Sequence, residues 1–229
     1  MLDELKKQVC EANLLLPKYG LVKFTWGNVS AVDREIELVV IKPSGIEYDD
    51  MTVDDMVVVD FDCNVIDGKW KPSSDTATHI HLYRSFPDIG AVVHTHSIWA
   101  TIMSQIGIDI QPYGTTHADY FADAIPCTRD MSPEEIRNRY ELNTGRVITE
   151  LFSARGINPN HTPAALVKNH GSFTWGVSAK KAVENAAVLE EIAFMAYHTK
   201  HYTNTPMPKT LLDKHFYRKH GDGAYYGQQ

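Results

Sequence analysis

Apolar residues at helical spacing open the chain, and short β-branched runs soon take over. Leu2, Leu5, Val9, Ala12 and Leu16 predict a helix over residues 2–17, stopped by Pro17 and Gly20. Phe24-Thr25-Trp26-Gly27-Asn28-Val29-Ser30 reads as a strand interrupted at Gly27-Asn28. That pair is either a plain turn or bulge or a place where backbone approaches a ligand. Residues 38–42 and 56–61, followed by Val65-Ile66, are further apolar strands, with turns at Pro43-Ser44-Gly45 and Asp62-Cys63-Asn64. Short strands joined by turns imply an antiparallel or mixed sheet, in contrast to a doubly wound parallel one.

Helical spacing returns with Ile80, Tyr83 and Phe86, just after Pro72-Ser73-Ser74-Asp75-Thr76. Gly90 then opens the apolar run Ala91-Val92-Val93, a buried strand that closes in His94-Thr95-His96. A helix is expected over 98–106, ending near Gly107, and a polar, aromatic loop over 114–121. Ser132-Pro133-Glu134-Glu135 is a helix start, and Ile136, Tyr140, Val147, Ile148 and Leu151 carry that helix to about Gly156. Residues 164–167 form a second short apolar strand running into Lys168-Asn169-His170-Gly171, and 179–201 a long amphipathic helix. A loop with Pro206 and Pro208 precedes a last helix and an aromatic tail, Ala224-Tyr225-Tyr226-Gly227. No repeat, low-complexity tract or linker divides residues 1–229, so one domain is expected.

Composition narrows the class. With 43% hydrophobic and 22% charged residues the chain is a soluble globular protein. A net charge of −7 without any Lys/Arg run argues against nucleic acid as a partner. No apolar segment is long enough to span a bilayer, so no membrane partner is expected. Cys10, Cys63 and Cys127 are odd in number and far apart, and the first residues lack an apolar signal stretch; both favour the cytoplasm.

Several polar residues stand where packing alone has no use for them. Side chains two apart on a strand share a face, so His94 and His96 would be presented together, half or more of a metal site. Two hydrogen-bonded histidines near a strand end are the plain alternative. His170 repeats the arrangement after the second apolar strand, and Asp75 is either an N-cap or a displaceable oxygen ligand. A catalytic zinc site wants three protein ligands and an open position, and these three imidazoles can supply the ligands. One helix needs one N-cap, so Ser73 and Ser74 in front of it are candidates for phosphate. The turn at Ser44 and Gly45, beside Lys42, is a second candidate anion nest. The absence of Gly-x-Gly-x-x-Gly and of a P-loop argues against hydride transfer through a nicotinamide.

Six ordered segments carry a resemblance: Thr-Trp-Gly-Asn-Val-Ser (25–30), Ile-Lys-Pro-Ser-Gly (41–45), Pro-Ser-Ser-Asp-Thr (72–76), His-Thr-His-Ser (94–97), Gly-Thr-Thr-His-Ala-Asp-Tyr-Phe (114–121) and the closing Lys-His-Gly…Ala-Tyr-Tyr-Gly-Gln. With these the chain resembles the L-ribulose-5-phosphate 4-epimerase family of the zinc-dependent class II aldolase superfamily. Around His170 the family pattern is Ser-His-Gly-Pro-Phe-Ala-Trp-Gly, where this chain has Asn-His-Gly-Ser-Phe-Thr-Trp-Gly. The resemblance implies an α/β (α+β) fold, a central mainly antiparallel sheet with helices on both faces. It implies zinc at His94, His96 and His170 with Asp75 alongside. Substrate contacts are implied for Gly27, Asn28, Lys42, Ser44, Gly45, Ser73 and Ser74, and also for Thr115, Glu141 and His215. Asp119 and Tyr226 are implied as the acid/base pair, supplied by a neighbouring subunit of a homotetramer.

The chemistry agrees with that implication. C4 of a 2-ketose phosphate is not alpha to the carbonyl, so inversion there needs oxidation or carbon–carbon cleavage. Without a nicotinamide site, cleavage remains: C3–C4 breaks, glycolaldehyde phosphate turns over, and the enediolate recaptures it. Zinc would supply Lewis acidity, and one acid/base group would serve each face. Two other readings stand beside this one. An aldolase of the L-fuculose-1-phosphate type carries Glu where this chain has Asp75. A non-catalytic zinc-stabilised module would have a closed four-ligand site and no use for a phosphate pocket.

Overall fold

The computed structural model describes residues 2–221 and 223–226; Gly227 and Gln228 of the closing motif lie outside them. Seven strands, β1 (Asn28–Asp33), β2 (Leu38–Ile41), β3 (Val57–Asp60), β4 (Val65–Asp67), β5 (Ala91–Thr95), β6 (Ala164–Val167) and β7 (Gly171–Gly176), form one sheet in the order β4-β3-β2-β1-β5-β7-β6. Every neighbouring pair is antiparallel. The helices are α1 (Leu2–Lys18), α2 (Thr76–Ser85), α3 (Ile98–Ile106), α4 (Thr115–Ala118), α5 (Pro133–Arg137), α6 (Tyr140–Arg155), α7 (Ala179–Thr199) and α8 (Lys209–Tyr217).

Strand alternation divides the core between two faces. Val29, Ala31, Val40, Val58 and Val93 pack against Val9 and Leu16 of α1 and Ala182 and Val183 of α7. Their neighbours Val39, Ile41, Val57, Val59 and Val92 point the other way, onto Ile80 and Leu82 of α2 and Ile148 and Phe152 of α6. Both faces are covered, which is why these strands read as unbroken apolar runs. A third cluster ties α3 and α7 to β6 through Met103, Ile192 and Leu166. The expected sheet with helices on both faces is the fold observed.

The structure departs from the expected elements in four places. β1 starts only at Asn28, because Phe24 and Gly27 take positive φ (52° and 73°) and turn the chain first. The single helix expected over 132–156 is broken at Arg139, whose φ is 56°. Asn143 stabilises that break: its side-chain amide donates to the carbonyls of Glu135 and Asn138, which would otherwise lack helical partners. Residues 115–118 form a helical turn in place of a loop. β7 lies outside the expected elements, yet its sequence alternates: Phe173 and Trp175 enter the α2/α6 core, and Thr174 faces α7, donating to the Ala182 carbonyl.

Candidate metal centre and phosphate cleft

β5 presents His94 on the α2/α6 side, with Asn28 of β1 and Phe173 of β7 paired to it on either flank. His96 follows just past the strand, and His170 closes the turn between β6 and β7. One ring nitrogen of each lies within 4.8 Å of the others, and the His94 and His96 Nε2 atoms are 3.0 Å apart. Three nitrogens held by one tetrahedral zinc would stand about 3.3 Å apart, within that spread. His94 Nδ1 is 2.9 Å from the Ser172 carbonyl, which can only accept. Nδ1 therefore carries the proton and Nε2 turns its lone pair to the centre. Phe173 stacks on the same ring at 4.2 Å. Burial, reinforced by the other imidazoles, pushes His170 down to about 3 and His96 down to about 4, so both stay neutral. Three neutral imidazoles suit a borderline divalent ion such as zinc.

Asp75 occupies the N-cap position of α2 but makes no side-chain cap bond. Its Oδ2 instead accepts from Asn28 Nδ2 at 2.7 Å. Burial acts to raise its carboxyl, but the His94 and His79 rings and the Asn28 amide outweigh it and hold it below the usual carboxylate range.

Around these residues lies a cleft of about 410 Å³, lined by every expected site residue except Thr115, Asp119, His215 and Tyr226. The Ser44 amide donates to the Lys71 carbonyl and the Ser73 amide to the Lys42 carbonyl, lacing the 43–45 turn to the start of α2. Ser44 therefore offers the cleft its hydroxyl but no amide. Gly45 has a φ of 71° and open space beside it. Gly27 does approach closely, but to protein: a Cβ there would stand 2.9 Å from the His94 carbonyl oxygen.

Two expected substrate contacts are spent on the protein itself. Lys42 is buried, and its Nζ lies 3.0–3.4 Å from the carbonyls of Ile46, Pro43 and Thr25 and 4.9 Å above the Tyr48 ring. An ammonium has three donors, so Lys42 holds the turn and lends charge without a proton free for an anion. Burial lowers it to about 8. Asn28 gives both amide protons away, to Asp75 and to Ser73 Oγ at 3.0 Å, and so ties the carboxylate beside the imidazoles to the serine at the start of α2. Sequence reasoning missed Trp26 and Tyr140 as lining residues. The Tyr140 hydroxyl lies 3.4 Å from His170 Nδ1; in the sequence it is one more apolar position of a helix, with no separate signal.

The remaining four expected residues gather elsewhere, where α4 packs on α8. Asp119 Oδ1 accepts from His215 Nδ1 and Arg218 Nη2, both at 2.9 Å. Oδ2 accepts from the same Arg218 nitrogen at 3.0 Å and from Lys219 Nζ at 3.2 Å. Burial raises the Asp119 carboxyl, but His215, Arg218 and Lys219 together hold it below the usual range. The Tyr225 and Tyr226 amides donate to the Arg218 carbonyl, and the Tyr226 ring lies 4.9 Å from the Arg218 guanidinium and 4.5 Å from Lys219 Nζ. Thr115 is exposed at the head of α4, with its carbonyl accepting from the Asp119 amide.

A seven-stranded antiparallel sheet with helices on both faces is the class II aldolase fold. Residues 7–197 match the Class II Aldolase and Adducin N-terminal domain, and the chain belongs to this family. Among its relatives, "L-ribulose-5-phosphate 4-epimerase UlaF" of Salmonella typhi and of Salmonella choleraesuis are each 55% identical over 230 residues, 100% of either chain. Among solved structures, an L-fuculose 1-phosphate aldolase superposes with a TM-score of 0.77 at 23% identity, over 92% of this chain and 95% of its own. Another, from Glaciozyma antarctica, gives 0.78 at 18% identity over 97% and 84%. At such identities these two establish the fold. Among the described residues no helix is long and apolar enough to cross a membrane, and all three cysteines are free thiols.

Proposed function

We propose that this chain is a zinc-dependent L-ribulose-5-phosphate 4-epimerase, an isomerase that interconverts L-ribulose 5-phosphate and D-xylulose 5-phosphate by breaking and remaking C3–C4. One observation carries the reading: three imidazoles meet a hydroxyl-lined rim in one cleft, in a chain 55% identical end to end to a named epimerase. Zinc held by His94, His96 and His170, with Asp75 beside it, supplies the Lewis acidity that an enediolate needs. The hydroxyls of Ser44, Ser73 and Ser74, with the Gly45 turn, hold the phosphate so that the aldehyde fragment turns over without leaving. Lys42 and Asn28 support that rim from behind. Glu141 and Tyr140 line the same cleft.

Asp119 and Tyr226 are the acid/base side of the reaction. None of their cluster lines the cleft of its own chain, which supports a homotetramer in which one subunit's cluster completes another's cleft. A cytoplasmic enzyme with reduced thiols fits the same reading. The Asp75 carboxylate, bonded to the Asn28 amide, favours an epimerase over an aldolase with a free base there. An open cleft beside three ligands favours catalysis over a closed structural metal. The test is incubation of the zinc-loaded protein with L-ribulose 5-phosphate. Chelator-sensitive formation of D-xylulose 5-phosphate with little free glycolaldehyde phosphate is expected. Net release of the free aldehyde would make the protein an aldolase, and no turnover would sink both enzymatic readings.

A further inference from the structure

Two large aromatic side chains stand in the open on the turn that leads into β1: Phe24 is 70% exposed and Trp26 51%. Phe24 takes a φ of 52°, a backbone region costly for a bulky L-residue. Burial of its ring does not offset that strain. The ring instead meets Trp26 edge-on, with centroids 5.7 Å apart and planes at 72°. The backbone beneath the pair is fixed. The Trp26 amide donates to the Lys23 carbonyl at 3.1 Å. The buried Tyr48 hydroxyl lies 2.7 Å from the Trp26 carbonyl oxygen and 3.0 Å from that of Gly27, and Lys42 Nζ reaches the Thr25 carbonyl. Strain and exposed aromatic surface held together on a braced turn are marks of a working segment.

Trp26 belongs to the cleft. Its ring centroid lies 6.4 Å from that of His96, and the residue lines the cleft together with the three imidazoles and the rim serines. Hydroxyls, amides, carboxylates and imidazoles dominate that lining, and Trp26 supplies its largest apolar face. Epimerisation sets a task for such a face. Once C3–C4 breaks, the aldehyde must turn about its phosphate end while its carbonyl carbon stays in place. A hydrogen-bonding wall would hold one rotamer of the aldehyde. Water reaching it would add across the C=O and give a gem-diol, which an enediolate cannot attack. A flat indole makes contact without a directional bond and keeps that water out.

We propose, on the epimerase reading above, that Trp26 is the wall against which the aldehyde fragment turns, and that Phe24 holds the indole over the cleft. The pair thereby sets the division between epimerisation and loss of the fragment. No bond to Trp26 forms or breaks. The C3–C4 bonding pair stays on C3 as the enediolate, C4 becomes the aldehyde carbon, and the pair then returns to the other face of C4. Proton transfer at the C4 oxygen stays with Asp119 and Tyr226.

The test follows zinc-loaded wild type, Trp26→Ser, Trp26→Phe and Phe24→Gly on L-ribulose 5-phosphate, with phosphorus NMR counting D-xylulose 5-phosphate and free glycolaldehyde phosphate. Trp26→Ser should raise the ratio of free aldehyde to epimer about tenfold, equivalent to about 1.4 kcal/mol on the partition. Zinc content and native mass should stay those of wild type. Trp26→Phe keeps an apolar ring and should raise the ratio less. Phe24→Gly relieves the positive φ, and should raise the ratio without lowering the melting temperature. A lower melting temperature with an unchanged ratio would overturn the role given to Phe24. An unchanged ratio in Trp26→Ser beside an active wild type overturns the whole proposal and leaves the epimerase reading intact. Parallel loss of both products is such a result, and is what a Trp26 that only seats a second copy of the chain, or only packs on His96, would give. Complete loss of turnover in Trp26→Ser overturns it too, since C3–C4 can break without a wall. A wild type that converts no L-ribulose 5-phosphate overturns the epimerase reading and this inference with it.

Discussion

Gly171→Ala tests how tightly the sheet holds the three imidazoles. A Cβ on Gly171 would stand 2.7 Å from the Thr95 carbonyl oxygen, 2.9 Å from His96 Cδ2 and 3.5 Å from His94 Cε1. Thr95 belongs to β5 and pairs with Ser172 of β7, so its carbonyl cannot retreat without opening the sheet. His96 lies beyond the strand end and is more exposed, and its ring is the part that gives. Relaxing its contact to the usual carbon–carbon separation of about 3.5–4.0 Å moves the ring by roughly 0.6–1.1 Å. Displacements above about 0.5 Å are enough to spoil such a site, so zinc affinity should fall by about 10–100-fold. Overpacking against the Thr95 carbonyl should cost about 1–3 kcal/mol in the metal-free protein. At about 2–4 °C per kcal/mol for a chain of this size, melting in EDTA should drop by roughly 2–12 °C. Competition with a chromophoric chelator reads the first quantity and thermal unfolding the second. Affinity within twofold of wild type and unchanged melting in EDTA would refute the reasoning.

Other expectations follow from the same geometry. Saturating zinc should stabilise the chelator-treated protein, by about 2.7 kcal/mol at a hundredfold excess over Kd, and His170→Ala should abolish that gain in a melting assay. Ser44→Ala and Ser74→Ala should each raise KM by about tenfold or more, the effect of one lost hydrogen bond to a charged group. Weaker inhibition by inorganic phosphate should accompany the change, and unaltered inhibition would remove these serines from the phosphate site. Asn28→Asp sets a second carboxylate within 2.7 Å of Asp75 Oδ2; steady-state kinetics should show a severe loss of kcat/KM, and near-wild-type values would contradict the coupling assigned to Asn28. Burial pushes His117 down to about 4, against about 6.5 in an unfolded chain. The unfolded chain takes the proton first, so this stability is complete above pH 6.5 and lost as pH falls toward 4, on the order of 3 kcal/mol in all. Denaturant titrations across that window should show a shallower slope for His117→Gln, and parallel slopes would count against the assignment.

Local rules were sufficient for much of this protein. The pairing of His94 with His96 is legible because strand side chains two apart share a face. The apolar runs at 38–42, 56–61 and 91–93 announce a sheet covered on both sides, and spacing alone predicts α1 and α7. β7 escapes that reading, because its Phe173 and Trp175 alternate with Ser172 and Thr174 and the polar half breaks the apolar run. The break at Arg139 was not legible, because the Asn143 amide that stabilises it acts from the next helix turn and leaves the helical spacing of apolar residues intact.

What the sequence determined by itself was the inventory: three imidazoles, a carboxylate, serines at a helix start, and motifs specific enough to mark the family. The tertiary structure decided how each was used. His170 reaches the other two histidines only because β7 pairs with β5. Asp75 faces Asn28 in place of capping α2, Lys42 is consumed by three carbonyls, and Asp119 is held by His215 of α8 and clamped by the cations Arg218 and Lys219 that follow it. A side chain's role depends on which donors and acceptors surround it, and these come from segments far apart in the chain. Long-range partners leave no local spacing to read, so they become visible only when the fold brings them within about 3 Å.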